Sequence, residues 1–77
     1  MGKTTDITAV FGKTLRRLRI AKKLTQEELG LEAGLRRTFI SSLELGQEQP
    51  SLVTIQKLAM VLELSISRLF QQVEKDL

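Results

Sequence analysis

Apolar residues recur every three or four positions along most of the chain, which is the spacing of a helix with one buried face. The first such stripe consists of Ile7, Phe11, Leu15 and Leu18. Similar stripes follow in four more segments, and no segment alternates apolar and polar residues for long enough to predict a strand. The pattern therefore predicts an all-α fold of five helices without a sheet.

Polar capping residues and glycines predict where these helices begin and end. Thr25 and Glu28 have the spacing of a capping box, and Gly34 suits the left-handed backbone that often ends a helix. The expected helices run from a cap at Thr5, Asp6 or Thr8 to Lys22 or Lys23, from Thr25 to Ala33, from Arg36 to Leu45, from Ser51 to Leu62, and onward from Ser65 or Ser67.

The apolar positions of the last four helices predict most of the core. The residues expected to face inward are Leu29, Ala33, Ile40 and Leu43. The apolar stripe of the fourth helix consists of Leu52, Ile55, Leu58, Ala59 and Leu62, and that of the fifth helix consists of Ile66, Leu69, Phe70, Val73 and Leu77. Gly30 lies inside the second helix, where glycine costs about 1 kcal/mol relative to alanine. We therefore expect another helix to approach the backbone closely at Gly30.

The composition limits the possible functions. A chain of 77 residues is one domain, for which we expect a flexible segment over residues 1–6 and a folded unit over residues 7–77. Cys and His are absent, and no nucleophile with a base or cluster of metal ligands is visible, so we expect no enzyme, catalytic residue, metal site or cofactor. There is no signal peptide and no apolar run of roughly 20 residues, so we expect a cytoplasmic protein without a membrane partner.

The charge of the chain is concentrated in its first half. The net charge is +3, and eight of the twelve Lys and Arg residues lie between residues 13 and 37. These eight residues are Lys13, Arg16, Arg17, Arg19, Lys22, Lys23, Arg36 and Arg37. A one-sided basic surface is typical of proteins that bind a polyanion such as nucleic acid, but solvated helix faces would explain the charges equally well.

The segment from residue 25 to residue 46 has the features of a helix-turn-helix. Two short helices are joined at Gly34, and Arg36 and Arg37 begin the second helix, where the helix dipole disfavours cations. Helix stability alone would favour Asp or Glu there, whereas arginine can bind guanine in the DNA major groove. At the start of the first helix, Thr25 and Gln26 are suited to receive a DNA phosphate.

From Phe11 to Phe70 the chain resembles the Xre-type family of the lambdoid phage repressors and Cro. The matching pieces are LRRLRIAKKLTQEEL, the AGL turn, FISSLELG, QPSLVTIQKLAMVLELS and the closing RLF. The resemblance implies a compact five-helix, lambda-repressor-like DNA-binding domain with the helix-turn-helix at helices two and three. Within the family, LRRTFIS is similar to the RTYIS-type segment of the controller proteins of restriction-modification systems.

The resemblance also implies roles for individual residues. Gln26 matches a phosphate-binding position, and Gln47 lies in the loop that usually follows the DNA backbone. The outward positions of the reading helix are Arg36, Arg37, Thr38, Ser41 and Ser42. Arg19 and Glu44 match a structural ion pair between the first helix and the reading helix. The sequence departs from the family at Leu45, where Arg or Asn is frequent, and at Gln47 and Glu48, where basic residues are common.

The fifth helix carries more apolar residues than one small bundle needs, which favours pairing with a second copy. We expect the dimer interface to include Ile66, Leu69, Phe70 and Val73, with Leu69 and Phe70 mostly in the core and Ile66 and Val73 nearer the partner. The sequence therefore predicts a homodimeric transcriptional regulator that binds a palindromic or pseudopalindromic operator in double-stranded DNA and takes no small-molecule substrate. Two alternatives are an antitoxin-type module on the same fold that binds mainly a protein, and a structural module without DNA binding.

Overall fold

The computed structural model describes residues 6–77, which form five α-helices and no strand. The helices are α1 (Ile7–Ala21), α2 (Gln26–Ala33), α3 (Arg37–Glu44), α4 (Leu52–Val61) and α5 (Ile66–Asp76). The predicted all-α class and the five-helix order are confirmed. Of the predicted flexible segment, residues 1–5 lie outside the described residues.

Side-chain caps begin four of the helices. Asp6 caps α1 by accepting hydrogen bonds from the amides of Thr8 and Ala9, at 3.0 and 3.4 Å. The capping box of α2 is present, because Thr25 Oγ1 accepts from Glu28 N at 3.0 Å and Thr25 N donates to Glu28 Oε1 at 2.8 Å. Serine hydroxyls at 51 and 65 cap α4 and α5. Only α3 has no side-chain cap.

Four residues near helix ends have a left-handed backbone. Gly34 follows α2 with φ 71°, and Gly46 follows α3 with φ 75°. Lys23 follows α1 with φ 61°, and Glu63 follows α4 with φ 60°. This conformation strains a residue that has a Cβ. The backbone is therefore strained after α1 and α4, whereas glycine avoids this strain after α2 and α3.

Apolar side chains from all five helices form one core. α3 packs on α1 and α2, α4 packs on α2 and α5, and α5 also packs on α1. The rings of Phe11 and Phe70 lie 6.3 Å apart between centroids. The buried apolar residues are Phe11, Leu15, Leu29, Ala33, Ile40, Leu43, Ile55, Leu58, Ala59, Leu62, Leu69 and Val73.

Leu52 and Leu77, which belong to the predicted apolar stripes, lie at the edge of the core or outside it. Leu52 is 82% exposed, because it begins α4 beside the exposed Val53 on the side turned away from the core. Leu77 is 54% exposed just beyond the end of α5. Apolar residues at a spacing of three to four positions identify the buried face of a helix. They do not show whether the first and the last of these residues are themselves buried.

Glycines permit close approaches of the backbone at several points. A Cβ on Gly30 would lie 2.5 Å from Leu35 O and 3.5 Å from Arg37 N, so the turn after α2 and the first residue of α3 approach Gly30. A second close contact between helices occurs at Gly12. A Cβ on Gly12 would collide with the carbonyl oxygens of Leu43 and Glu44. The backbone of α1 therefore lies directly against the end of α3.

Candidate nucleic-acid interface

The turn between α2 and α3 is fixed by its own backbone. Gly34 adopts the left-handed conformation, and Leu35 N donates to Gly30 O at 2.7 Å. The missing side chain of Gly30 leaves room for this turn. As a result, α3 begins at Arg37 immediately beside α2, with Arg36 as its uncapped N-terminal residue.

The residues predicted to read DNA share one side of α3. Arg37, Thr38, Ser41 and Ser42 are separated by one, three and one positions, which places them on one helical face. Arg36, Arg37 and Thr38 are exposed, whereas Ser41 and Ser42 are half-buried. The opposite side of α3 carries the buried Ile40 and Leu43. We call the surface formed by Arg36, Arg37, Thr38, Ser41 and Ser42 the outer surface of α3.

A buried ion pair ties α3 to α1. Arg19 Nε lies 2.6 Å from Glu44 Oε2, and Arg19 Nη2 lies 3.1 Å from Glu44 Oε1. Arg19 Nη1 also donates to Leu24 O at 2.7 Å. The predicted contact between Arg19 and Glu44 is therefore present, and the same guanidinium holds the loop between α1 and α2.

Gln26 joins this pair from the start of α2. Its Nε2 donates to Glu44 Oε1 at 3.0 Å, and its side chain is half-buried. Arg19, Glu44 and Gln26 form what we call the Arg19–Glu44–Gln26 cluster. The sequence did not indicate the bond between Gln26 and Glu44, because the two residues are 18 positions apart and either side chain could have pointed into solvent.

Internal ion pairs occupy two other basic residues. Arg17 donates to Asp76 Oδ2 from Nη2 at 2.9 Å and from Nε at 3.2 Å. Thr14 Oγ1, in a fully buried side chain, donates to the same oxygen at 2.8 Å. These bonds, from Thr14 first and then from Arg17, hold the pKa of the Asp76 carboxyl below its ordinary value.

A second pair joins Lys22 to Glu63 in the link between α4 and α5. The hydrogen bond from Lys22 and its positive charge lower the pKa of Glu63.

The basic residues without an ion pair among residues 6–77 include both arginines of the outer surface of α3. The other unpaired members of the basic first half are Lys13, Arg16 and Lys23.

The loop after α3 offers polar but uncharged donors. Gln47 and Gln49 are exposed there, and Gln47 N donates to Ser42 O at 2.9 Å. Leu45, at the end of α3, is 68% exposed. This loop contains no basic residue, which agrees with the departure from the family pattern noted at Leu45, Gln47 and Glu48.

The surface of α5 differs from the predicted dimer interface. Ile66 is 45% exposed and Phe70 is half-buried, but Leu69 and Val73 are fully buried. The placement of Val73 near a partner is wrong, because a side chain with no exposed area lies in the core of its own chain. Leu69 belongs to the core as well, so it offers no surface for the interface in which it was included.

An apolar groove lies between the starts of α4 and α5 and was not predicted. Val53 is 59% exposed there, beside the still more exposed Leu52. The residues that line this apolar groove are Leu52, Val53, Ile55, Gln56 and Ile66. The sequence did not indicate this groove, because its apolar spacing placed Leu52 on the buried stripe of α4, whereas Leu52 is exposed in the structure.

Within residues 6–77, no helix is long and apolar enough to cross a membrane. The same residues contain no group of three or more acidic side chains that could hold a metal ion.

Known proteins with similar sequences and structures agree with this arrangement. A family model described as Helix-turn-helix matches residues 15–69. The chain is 39% identical over 72 residues to control protein C.MunI of Mycoplasma sp, a match that covers 92% of this chain and 97% of that protein. It is 38% identical over 60 residues to control protein C.BamHI of Bacillus amyloliquefaciens, covering 77% of this chain and 74% of that protein.

A solved structure is also similar to this chain. The crystal structure of the restriction-modification controller protein C.AhdI from Aeromonas hydrophila is 44% identical in sequence, with a TM-score of 0.79. That match covers 82% of this chain and 96% of that protein.

Proposed function

The chain belongs to the helix-turn-helix family of DNA-binding transcriptional regulators, and from this premise we propose that it is a controller-type regulator that binds a palindromic operator as a homodimer. It acts on double-stranded DNA in the cytoplasm, and it is not an enzyme. The observation that carries the proposal is the outer surface of α3, which joins unpaired arginines to small hydroxyl side chains.

In this proposal, the outer surface of α3 enters the major groove. Arg36 and Arg37 supply the long donors that bind guanine, and Thr38, Ser41 and Ser42 supply hydroxyls for base edges or phosphates. Gln26 and Gln47 bind the DNA backbone on either side of α3. Phosphate contacts position the protein, so sequence preference depends mainly on the residues of α3.

Self-association supplies the second half-site. One helix-turn-helix contacts only a few base pairs, and dimers bind two half-sites about one DNA turn apart. The exposed side chains of the apolar groove, Leu52, Val53 and Ile66, support a two-fold contact between copies. Phe70 is half-buried beside α1 and contributes less surface.

Two similar relatives are named control proteins, and C.AhdI is described as a restriction-modification controller. We therefore infer that this chain regulates genes of a restriction-modification system.

Selection of binding sites from a random DNA pool tests the proposal directly. We expect a single enriched motif with two inverted half-sites about one helical turn apart. The motif should recur upstream of a neighbouring restriction or methyltransferase gene. Recovery of no enriched motif, while binding to random DNA persists, would contradict sequence-specific regulation. A single half-site without symmetry would contradict the homodimer.

A further inference from the structure

We infer that Glu44 is a positioning residue for DNA binding, which acts by holding the side-chain amide of Gln26 in the orientation that binds a phosphate. This inference rests on the proposed contact between Gln26 and the DNA backbone. It assigns to the buried carboxylate a role beyond the structural ion pair with Arg19.

The contacts of Glu44 constrain the amide of Gln26. A carboxylate paired with a guanidinium only accepts hydrogen bonds, so the group that Gln26 turns toward Glu44 Oε1 must be its NH₂. The amide oxygen of Gln26 must then point elsewhere. Without Glu44, the two ends of the amide would be nearly equivalent and the side chain could present either one to DNA.

The same geometry leaves one donor available for DNA. An amide NH₂ carries two hydrogens, and Glu44 Oε1 accepts only one of them at 3.0 Å. Gln26 is the first residue of α2 and is half-buried, so part of its side chain remains accessible beside the free amides of that helix start. The second hydrogen can therefore be donated to a phosphate while the first stays bonded to Glu44.

Arg19 makes this arrangement electrostatically acceptable. A carboxylate close to a phosphate-binding side chain would repel DNA if its charge were uncompensated. Arg19 contacts both oxygens of Glu44, at 2.6 and 3.1 Å, and the side chain of Glu44 is only 2% exposed. The pair therefore presents little net charge to DNA and contributes the orientation of Gln26.

The decisive variant is Glu44→Gln, because a positioning role and a simple charge effect predict changes of opposite sign. Removal of a negative charge near DNA should by itself strengthen binding. A positioning role predicts weaker binding instead, because the single acceptor oxygen of glutamine cannot serve all three N–H donors, two from Arg19 and one from Gln26, and the donor group of Gln26 is no longer held in place. We expect at least a threefold loss of affinity for a mixed-sequence duplex at low salt. The matched control is Glu48→Gln, an exposed glutamate in the loop after α3, which should bind equally well or more tightly.

The double variant Gln26→Ala, Glu44→Gln completes a cycle with the two single variants. If Glu44 acts through Gln26, the double variant should bind no more weakly than the weaker of the two single variants. Losses that multiply would overturn the inference, as would unchanged or tighter binding by Glu44→Gln. If Gln26→Ala does not change affinity, the proposed phosphate contact itself fails, and the positioning role fails with it. If Gln26→Ala weakens binding and Glu44→Gln does not, only the positioning role fails.

A measurement on the unmodified chain decides the question if Glu44→Gln does not fold. The side-chain amide resonances of Gln26 can be assigned by their loss in Gln26→Ala. One of the two protons should be shifted and slow to exchange because it is bonded to a carboxylate, whereas both protons of the exposed Gln71 should resemble those of a free glutamine. On addition of the duplex, the second proton of Gln26 should move and the first should stay in place. Amide protons of Gln26 that match those of Gln71 would overturn the inference.

Discussion

At the scale of single residues, burial separates the charged side chains that hold the fold from the exposed ones that we propose to bind DNA. Glu44 and Arg19 are buried and bonded to each other, although both are ionisable. Arg37 is exposed and has no ion pair among residues 6–77. Charge alone therefore does not identify the DNA-binding residues, and burial distinguishes Arg19 from Arg37.

This distinction predicts different effects for Arg37→Ala and Gln26→Ala. Arg37→Ala should weaken binding to the selected operator by about 1 to 3 kcal/mol, because a bidentate contact with guanine is lost. Its effect on random DNA should be smaller. Gln26→Ala should weaken binding to both DNAs by similar factors, because a phosphate contact carries no sequence information. Titrations of both duplexes at one salt concentration provide the measurement.

Lys57→Ala is the control for loss of an exposed positive charge, because Lys57 is an exposed residue of α4 and not of α3. It should leave the ratio of operator to random affinity unchanged. Equal losses on both DNAs for Arg37→Ala would contradict the assignment of Arg37 to base reading.

A second prediction concerns the left-handed residue after α1. Lys23→Gly should raise the free energy of unfolding by about 0.5 to 1 kcal/mol, because relief of the strain at φ 61° outweighs the added flexibility of glycine. Lys13→Gly makes the same chemical change inside α1 and should lower the free energy of unfolding by about 1 kcal/mol. Denaturant titrations of both variants measure the difference, and two changes of the same sign would argue against strain at Lys23.

At the scale of elements, the position of α3 depends on α1 as much as on α2. α1 contacts the end of α3 through backbone at Gly12 and through the guanidinium of Arg19. α2 contacts the same end through Gln26. The position of α3 within the helix-turn-helix of α2 and α3 is therefore fixed in part by α1, which lies outside that motif.

Gly12→Ala should accordingly cost about 1 to 3 kcal/mol of stability, because its methyl group would push against the carbonyl oxygens of Leu43 and Glu44. An exposed Gly→Ala change in a helix would normally stabilise it by about 1 kcal/mol, so the expected sign is opposite to the intrinsic preference. Thermal unfolding followed by circular dichroism measures the change. A gain in stability would mean that α1 and α3 can separate at no cost.

The hydrogen bonds of Asp76 fix the last turn of α5 against α1. Because the folded-state pKa of Asp76 is lowered, its ionised form adds stability that is fully present above the ordinary carboxyl pKa and is lost as the pH falls through the folded-state pKa. Asp76→Asn should therefore lower the melting temperature at neutral pH, and this deficit should shrink on acidification. Glu74→Gln, on the exposed side of α5, should show no such pH-dependent deficit. A deficit of constant size across the pH range would assign the effect to packing and not to charge.

Much of this element structure could be predicted from the sequence, because caps and periodic apolar residues are local signals. Asp6 was one of three candidate caps, and Thr25 with Glu28 predicted the start of α2. The contact at Gly12 could not be predicted, because it depends on the angle and position at which α1 and α3 cross. The apolar periodicity of each helix contains no information about how two helices cross. The bond between Gln26 and Glu44 was missed for the same reason, since it joins two polar side chains from different elements.

At the scale of the whole molecule, the surfaces that we propose for DNA binding and for self-association lie on different elements. The outer surface of α3 is polar and basic, whereas the apolar groove lies between α4 and α5. The periodicity of α5 indicated an excess of apolar surface correctly at Ile66 but assigned Val73 to the wrong side. Both are apolar residues of one stripe, and only the packing of α5 against the bundle separates them.

Leu52→Ser should therefore shift the chain toward monomer, because Leu52 is the most exposed apolar side chain of the groove. Leu31→Ser is the matched control, since Leu31 is 76% exposed on α2, outside the groove. Sedimentation velocity at micromolar concentration should show a lighter species for Leu52→Ser alone, with circular dichroism unchanged. Identical sedimentation of both variants and the unmodified chain would place the interface elsewhere.

The two-sided character of α3 has a consequence for how regulators of this type can diverge. Its inner side holds Ile40, Leu43 and Glu44 in the core, while Arg36, Arg37 and Thr38 of its outer surface are exposed. If α3 reads DNA as we propose, exchanges at Arg37 or Thr38 change the preferred operator at little cost in stability. Two such proteins could coexist in one cell with the same scaffold and without cross-regulation, each confined to its own promoters by a few surface side chains.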